Sequence, residues 1–143
     1  MTLQIQEIAE WLGTEPSSEF DLARTVRRGL PLTTQNVMVE HGMTKDEFHR
    51  IVIPHRTFRH RIERLNKGRD ELLTADESDK ALRAARVLAL AEHVFGNREK
   101  ALSWMRQPKK RFEGETPMQL LQTEAGARLV DEMLIQIDEG MFT

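Results

Sequence analysis

Basic side chains are concentrated in one short segment of this 143-residue chain. Five arginines and Lys67 lie between Arg56 and Arg69, where Glu63 is the single acidic residue. The planar guanidinium group matches the oxygens of a phosphate and the acceptor edge of guanine. The segment therefore has the chemistry for binding a nucleic acid.

The apolar residues of this segment predict that it is a helix. Phe58, Ile62 and Leu65 recur at intervals of four and three residues, as the inward-facing side chains of a helix do. Pro54 ends the preceding helix, so this one should run over about residues 55–66. The outward side chains are then the candidates for contacting DNA. Those candidates are His55, Arg56, Thr57, Arg59, His60, Arg61 and Arg64.

A capped helix precedes this basic helix, as in helix-turn-helix modules whose later helix enters the major groove. Thr44 and Glu47 have the spacing of a capping box, and Pro54 should end their helix near Ile53. In this frame the basic helix is the one that contacts base pairs.

A second helix-turn-helix frame also fits the sequence. Residues 34–51 could supply both helices with Gly42 at the turn, and Lys45 would then be a DNA-binding residue. Asp46 and Glu47 would stand near the phosphates in this frame, which raises the cost of binding. The sequence leaves open which of the two helices enters the major groove.

An ion-paired surface is the structural alternative to DNA binding. The segment from Asp70 to Asp79 carries acidic residues and no basic ones, and it could neutralise the arginines before it. Its acidic residues are Asp70, Glu71, Asp76, Glu77 and Asp79. In that case the basic helix would be an ordinary solvated face.

No catalytic or metal-binding motif occurs in the sequence. A glycine-rich phosphate loop, a serine elbow, a His-Glu-x-x-His pair and a cysteine nucleophile are all missing. His55 and His60 are five residues apart, off a common helix face and among arginines that repel cations. We therefore expect a protein that is not an enzyme and that uses no metal and no cofactor.

Composition and hydropathy favour a globular cytoplasmic protein. Hydrophobic residues make up 39% of the chain and charged residues 31%, which are the proportions of a globular chain. The chain has no cysteine, and its first residues lack the pattern of a signal peptide. The longest apolar run, residues 87–91, is too short to cross a bilayer. We expect no association with membranes.

Helical periodicity and capping residues recur along the chain, with no strand-like alternation. We predict an all-α fold, with a Cro/repressor-like helix-turn-helix module in residues 1–69 and a helical module in residues 70–143. Thr74 begins a long helix that ends at Phe95, and Thr116 begins the C-terminal segment. The last helix should carry one apolar stripe and end at Gly140; the stripe is formed by Leu129, Val130, Met133, Leu134 and Ile137.

Two sets of residues have the types and spacing of a known family. The C-terminal set is Glu92, His93, Val94, Phe95, Gly96, Ala101, Trp104, Pro108, Gly114, Thr116, Pro117, Leu120, Leu121, Thr123, Gly126, Val130, Leu134, Ile137 and Gly140. The upstream set is Arg56, Thr57, Phe58, Arg61, Leu73, Glu77 and Ser78. Together they resemble the Xre/MbcA/ParS antitoxin family over about residues 22–143.

The resemblance implies two partners for the chain. Antitoxins of this family neutralise RES-domain toxins, which degrade NAD, and they bind operator DNA as dimers, which implies repression of their own operon. The C-terminal module would then cover the entrance of the toxin's active site. The toxin contacts implied in this way are Trp104, Leu120, Leu121, Ile137, Gly140, Met141 and Phe142. A stand-alone helix-turn-helix transcriptional regulator without a toxin is the alternative function.

The chain departs from the family pattern before the Arg56-Thr57 pair. The family often has glycine in this region, whereas this chain has Val52, Ile53 and Pro54. We therefore expect an atypical connection between the two helices of the module.

Overall fold

A computed structural model describes residues 3–140, which form helices joined by short loops. The helices are α1 (Ile5–Leu12), α2 (Glu19–Arg28), α3 (Thr34–Glu40), α4 (Lys45–Ile51), α5 (His55–Asn66), α6 (Ala75–Phe95), α7 (Arg98–Met105), α8 (Pro117–Leu120) and α9 (Glu124–Asp138). A 3-10 helix lies at Lys110–Phe112, and Pro31 pairs with Leu72 in an isolated bridge. No strand forms within the described range, and the predicted all-α class is confirmed.

The chain forms two compact units that divide inside α6. Gln4–Leu82 belongs to the first unit, and the second begins at Arg83. The first turns of α6 belong to the N-terminal unit because Ser78 Oγ accepts the backbone N–H of Leu30 at 2.8 Å in a buried position. The division therefore falls later in the chain than the predicted domain boundary.

Local capping explains several of the helix starts. Thr44 Oγ1 accepts the backbone N–H of Glu47 at 3.0 Å, and Glu47 Oε1 accepts the backbone N–H of Thr44 at 2.8 Å. Thr74 with Glu77, and Thr116 with Gln119, form the same reciprocal pairs. These bonds satisfy backbone N–H groups that have no partner inside the helix. The three capping boxes are at the predicted positions.

The C-terminal segment is split by a further cap. Thr123 Oγ1 accepts the backbone N–H of Gly126 at 2.9 Å and begins α9 separately from the short helix α8. A Cβ atom on Gly126 would lie 2.2 Å from the carbonyl oxygen of Leu120. Glycine is therefore required here because α9 passes so close to the backbone of α8.

Each unit has its own apolar core. In the N-terminal unit the largest fully buried side chains are Trp11, Leu12, Leu30, Met38, Met43, Phe48, Ile53 and Leu73. In the C-terminal unit the fully buried apolar side chains include Ala84, Leu88, Met105, Leu121, Val130 and Leu134. Small residues on α6 allow close packing along its buried face.

Two predicted apolar stripes are only partly buried. On α5, Phe58 is buried, Ile62 is half-buried and Leu65 is 40% exposed. On α9, Val130 is fully buried but Leu129 is 49% exposed. The expectation that the whole α5 stripe faces inward was wrong, because a helix packed on one side leaves the edge of its stripe in solvent.

Neither a membrane-spanning helix nor a metal-binding cluster occurs in the part of the chain that the structure describes. None of its helices is long and apolar enough to cross a membrane. The described residues also contain no group of three or more histidine or acidic side chains placed to hold a metal ion.

Candidate functional site

The connection between α4 and α5 is short and buried. The side chains of Val52 and Ile53 are 2% and 1% exposed, so apolar residues rather than glycine make this connection. Pro54, in an extended conformation, directly precedes α5. The rings of Phe48 on α4 and Phe58 on α5 lie 6.1 Å apart, edge to face, and hold the two helices together.

His49 links three elements at this connection. Its Nδ1 lies 3.0 Å from the carbonyl oxygen of Ile53, and its Nε2 lies 3.0 Å from the amide Nε2 of Gln35 on α3. Because a carbonyl oxygen can only accept, Nδ1 carries the proton and the neutral ring accepts the Gln35 amide N–H at Nε2. The ring also contacts His55 and Phe58, with centroids 4.6 Å and 5.2 Å away.

The surroundings of His49 keep its ring neutral. Burial lowers the pKa of His49 below the ordinary value of 6.5, and the nearby His55 and Lys45 act in the same direction. The carbonyl oxygen of Ile53 and the carboxylate of Asp46 oppose this shift without reversing it. The neutral ring can then keep both hydrogen bonds, which fixes the start of α5 against α3 and α4.

The outer face of α5 is open to solvent over its first turns. The side chains of this face that are exposed are His55, Arg56, Thr57, Arg59 and His60. Within residues 3–140, Arg56 and Arg59 form no ion pair. Their guanidinium groups are therefore available to an anionic ligand. Lys45, the candidate from the second frame, is exposed at the start of α4.

Arg61 does not project into solvent, contrary to expectation. Its two terminal nitrogens contact both carboxylate oxygens of Glu77, and the side chains of the pair are 12% and 14% exposed. Glu77 Oε1 also accepts the backbone N–H of Thr74 at 2.8 Å. Burial alone would raise the pKa of Glu77, but the hydrogen bonds from Arg61 and Thr74 outweigh it and hold that pKa below 4.5.

Arg64 is also paired with the acidic segment. Its Nε contacts Glu71 Oε1, although the Arg64 side chain remains 49% exposed. The acidic segment therefore neutralises Arg61 and Arg64, as the ion-paired alternative predicted, but it does not neutralise Arg56 and Arg59. The basic helix has one neutralised side and one cationic side.

In the C-terminal unit, the predicted toxin contacts differ in exposure. Trp104, Leu120 and Ile137 are half-buried and Gly140 is exposed, so each has surface to offer a partner. Leu121 is fully buried in the core and presents no surface. Its assignment to an exterior contact does not fit this conformation. The remaining two, Met141 and Phe142, lie outside the described residues.

Trp104 lies at the edge of an open groove. The groove, about 490 Å³ in volume, is lined by Phe95, Asn97, Glu99, Lys100, Ser103, Trp104 and Gln107. The Lys109 ammonium lies 4.6 Å from the centre of the indole ring, and burial against it lowers the pKa of Lys109. The indole thus combines an apolar face with a cationic neighbour.

Leu120 lines a second groove, which the sequence analysis did not identify. The groove has a volume of about 330 Å³ and is lined by Arg111, Phe112, Glu113, Glu115, Leu120 and Leu129. Leu129 and Ile135, which are 49% and 46% exposed, are large apolar side chains on the open part of α9. Helical periodicity does not predict that these two side chains are exposed, because it does not show which edge of an apolar stripe the rest of the fold leaves uncovered.

In the N-terminal unit α3 packs against α4, and a short buried connection joins α4 to α5. Such a series of short packed helices is the architecture of a helix-turn-helix module, in either of the two frames. In this class a later helix enters the major groove of DNA. The C-terminal unit adds two open grooves on an all-helical scaffold. The chain therefore belongs to the class of helix-turn-helix proteins with a second, separate helical unit.

Comparison with known proteins identifies the family. The family model described as the antitoxin Xre-like helix-turn-helix domain matches residues 21–86. The model described as the antitoxin Xre/MbcA/ParS C-terminal toxin-binding domain matches residues 90–140. Antitoxin Xre of Pseudomonas putida is 42% identical over 126 residues, which are 88% of this chain and 76% of that protein.

A second relative agrees with this assignment. Antitoxin Xre of Yersinia enterocolitica is 35% identical over 92 residues, which are 64% of this chain and 59% of that protein. The chain belongs to the Xre antitoxin family, and it is an antitoxin rather than an enzyme.

Proposed function

We propose that this antitoxin neutralises a RES-domain toxin that degrades NAD and, as a cytoplasmic homodimer, binds operator DNA to repress its own operon. The observation that carries the proposal is the pairing of a helix-turn-helix domain with a toxin-binding domain in one chain. The two activities are assigned to different units, so each should be removable without the other.

For DNA, we assign the major-groove role to α5 rather than α4. The start of α5 carries the exposed, unpaired guanidinium groups of Arg56 and Arg59. The first turn of α4 carries Asp46 and Glu47, whose carboxylates repel phosphates. His55, Thr57 and His60 would add contacts beside the two arginines, and Arg64 would touch the backbone from the edge. Arg61 is assigned to holding α5 in place.

For the toxin, we assign the contact to side chains that keep accessible surface in the C-terminal unit. Four of the toxin contacts that the family resemblance implied are kept because each is half-buried or exposed: Trp104, Leu120, Ile137 and Gly140. Leu129 is added because it lines the same groove as Leu120 and is 49% exposed. Exposed apolar side chains beside half-buried ones are typical of protein-binding surfaces.

The test starts from the gene that adjoins the gene of this chain, which should encode a RES-domain protein, and co-expresses the two. We expect the chain to abolish that protein's toxicity, to form a complex with it that survives gel filtration, and to shift DNA from upstream of the operon. Full toxicity in the presence of the folded chain would refute the toxin assignment. A shift of upstream DNA without any neutralisation would favour the stand-alone regulator.

A further inference from the structure

A groove on the N-terminal unit lies away from the basic face of α5. It is formed between α2 and the start of α6 and has a volume of about 300 Å³. Its lining residues are Ala23, Val26, Arg27, Ala75, Asp76, Asp79 and Leu82. All of them belong to the N-terminal unit. Neither the proposed DNA contacts nor the proposed toxin contacts use this groove.

The floor and the walls of the groove differ in chemistry. The floor is apolar, with Val26 6% exposed and Leu82 half-buried. One wall carries the exposed Arg27 and the other the exposed Asp76 and Asp79. Within residues 3–140 these three side chains form no ion pair with one another. Opposite charges therefore stand on opposite walls and remain available.

The face of α2 that borders the groove continues as apolar surface. Phe20 lies one turn before Ala23 on the same face and is 71% exposed, the largest exposure among the large apolar side chains of the described chain. The Arg24 guanidinium lies 5.8 Å from the centre of its ring. An exposed phenylalanine beside a groove with an apolar floor is a feature of protein interfaces.

The charge arrangement indicates which partner fits. Nucleic acid is disfavoured because Asp76 and Asp79 would face its phosphates. A two-fold interface must be complementary to itself, because the same surface patch is used by both copies: if residue i of one copy contacts residue j of the other, then j of the first also contacts i of the second. A groove with one cationic and one anionic wall meets this condition when Arg27 of each copy faces the acidic wall of its partner.

We propose that this groove is the dimer interface of the antitoxin and that a second copy of the chain occupies it. The proposal rests on the homodimer included in the proposed function and identifies the surface that forms it. Phe20 and the apolar floor supply the area removed from water, and Arg27 with Asp79 sets the register of the two copies.

The experiment uses two charge reversals in the full chain, Arg27→Glu and Asp79→Arg. Sedimentation velocity in the absence of DNA and toxin measures the dimer. In either variant alone, every contact between positions 27 and 79 across the two-fold axis becomes repulsive. We expect dimerisation about tenfold or more weaker for each. Asp79 lies beyond the capping box of α6, so its reversal does not remove a cap.

Mixing the two variants is the decisive arm. In the mixed dimer the two reversed side chains face each other at one contact and form an ion pair of inverted polarity. The native Arg27 and Asp79 face each other at the second contact. Dimerisation should therefore return close to the wild-type level. Arg28→Glu, an exposed reversal on α2 that does not line the groove, is the matched control and should leave the dimer intact.

Three outcomes would overturn the proposal. They are a monomeric wild type, single variants that dimerise as the wild type does, and a mixture that stays monomeric. Neutralisation of the toxin and the shift of upstream DNA are measured separately. Failure of the interface assignment can therefore be told apart from failure of the proposed function.

Discussion

Arg61 on α5 and Glu77 on α6 form a two-point ion pair, in which Arg61 Nη2 lies 3.0 Å from Glu77 Oε2. Glu77 is at the same time the acidic partner of Thr74 in the capping box of α6. One carboxylate thus both completes a helix start and holds the basic helix. We therefore expect Arg61 to affect DNA binding by positioning α5 rather than by contacting DNA.

Replacing Arg61 with alanine should destabilise the N-terminal unit. The change leaves the mostly buried carboxylate of Glu77 without its strongest donor, and hydrogen bonds to charged groups contribute about 1.5–3 kcal/mol. We expect urea denaturation to show a loss of that size. The exposed, unpaired Arg59 is the control, and Arg59→Ala should stay within about 0.5 kcal/mol of the wild type. Equal stability of the two variants would contradict the positioning role.

The Arg61 pair illustrates what sequence patterns do and do not predict. The spacing of Phe58 and Ile62 correctly predicted a helix over His55–Asn66, because the periodicity of apolar residues and the proline before the helix act locally. The direction in which Arg61 points depends on Glu77, sixteen residues later in the chain. No local pattern specifies which of several acidic residues an arginine will meet.

The site around His49 was missed for a similar reason. Its partners are Gln35 on α3 and the carbonyl oxygen of Ile53, and only the folded backbone brings them to the two sides of one ring. In the C-terminal unit, the sequence could not show that Leu121 is buried and Leu120 is partly exposed, because the two neighbours are the same residue type. Their exposures differ because neighbours on a helix point about 100° apart.

Acidification should weaken the N-terminal unit through His49. Its folded pKa lies below 6.5 because of burial, whereas in the unfolded chain the ring takes up a proton near 6.5. The unfolded state therefore binds more protons as the pH falls below 6.5, and the free energy of unfolding decreases. His49→Gln should flatten this dependence in urea denaturation measured across pH. The exposed His60→Gln is the control and should keep the wild-type slope.

Removing the exposed arginines of α5 should weaken DNA binding without affecting the fold. We expect Arg56→Ala and Arg59→Ala each to cost about 1–3 kcal/mol of affinity for upstream DNA where they contact bases. Contact with phosphate alone should cost less and reduce the slope of log affinity against log salt by about 1. Fluorescence anisotropy over a salt series measures both. A large effect of Lys45→Ala with none at Arg59 would instead assign the major groove to α4.

Substitutions at the adjacent residues Leu120 and Leu121 should distinguish an effect on stability from an effect on toxin binding. Leu121 is fully buried, so Leu121→Ala should lower the free energy of unfolding by about 2–5 kcal/mol. Leu120 is half-buried at a groove with Leu129, so Leu120→Ala should cost less stability and weaken capture of the toxin more. Leu129→Glu places a charge on a side chain that is 49% exposed and should spare the fold while weakening the complex.

The measurements for these three variants are thermal unfolding of the free antitoxin and titration calorimetry with a catalytically inactive toxin. The matched control is Glu132→Gln, an exposed change on α9 outside the groove, which should alter neither quantity. Full toxin affinity in Leu129→Glu and Leu120→Ala would move the toxin contact away from this groove. The Trp104 groove would then be the next surface to test, because the half-buried indole ring offers an apolar face beside the Lys109 ammonium.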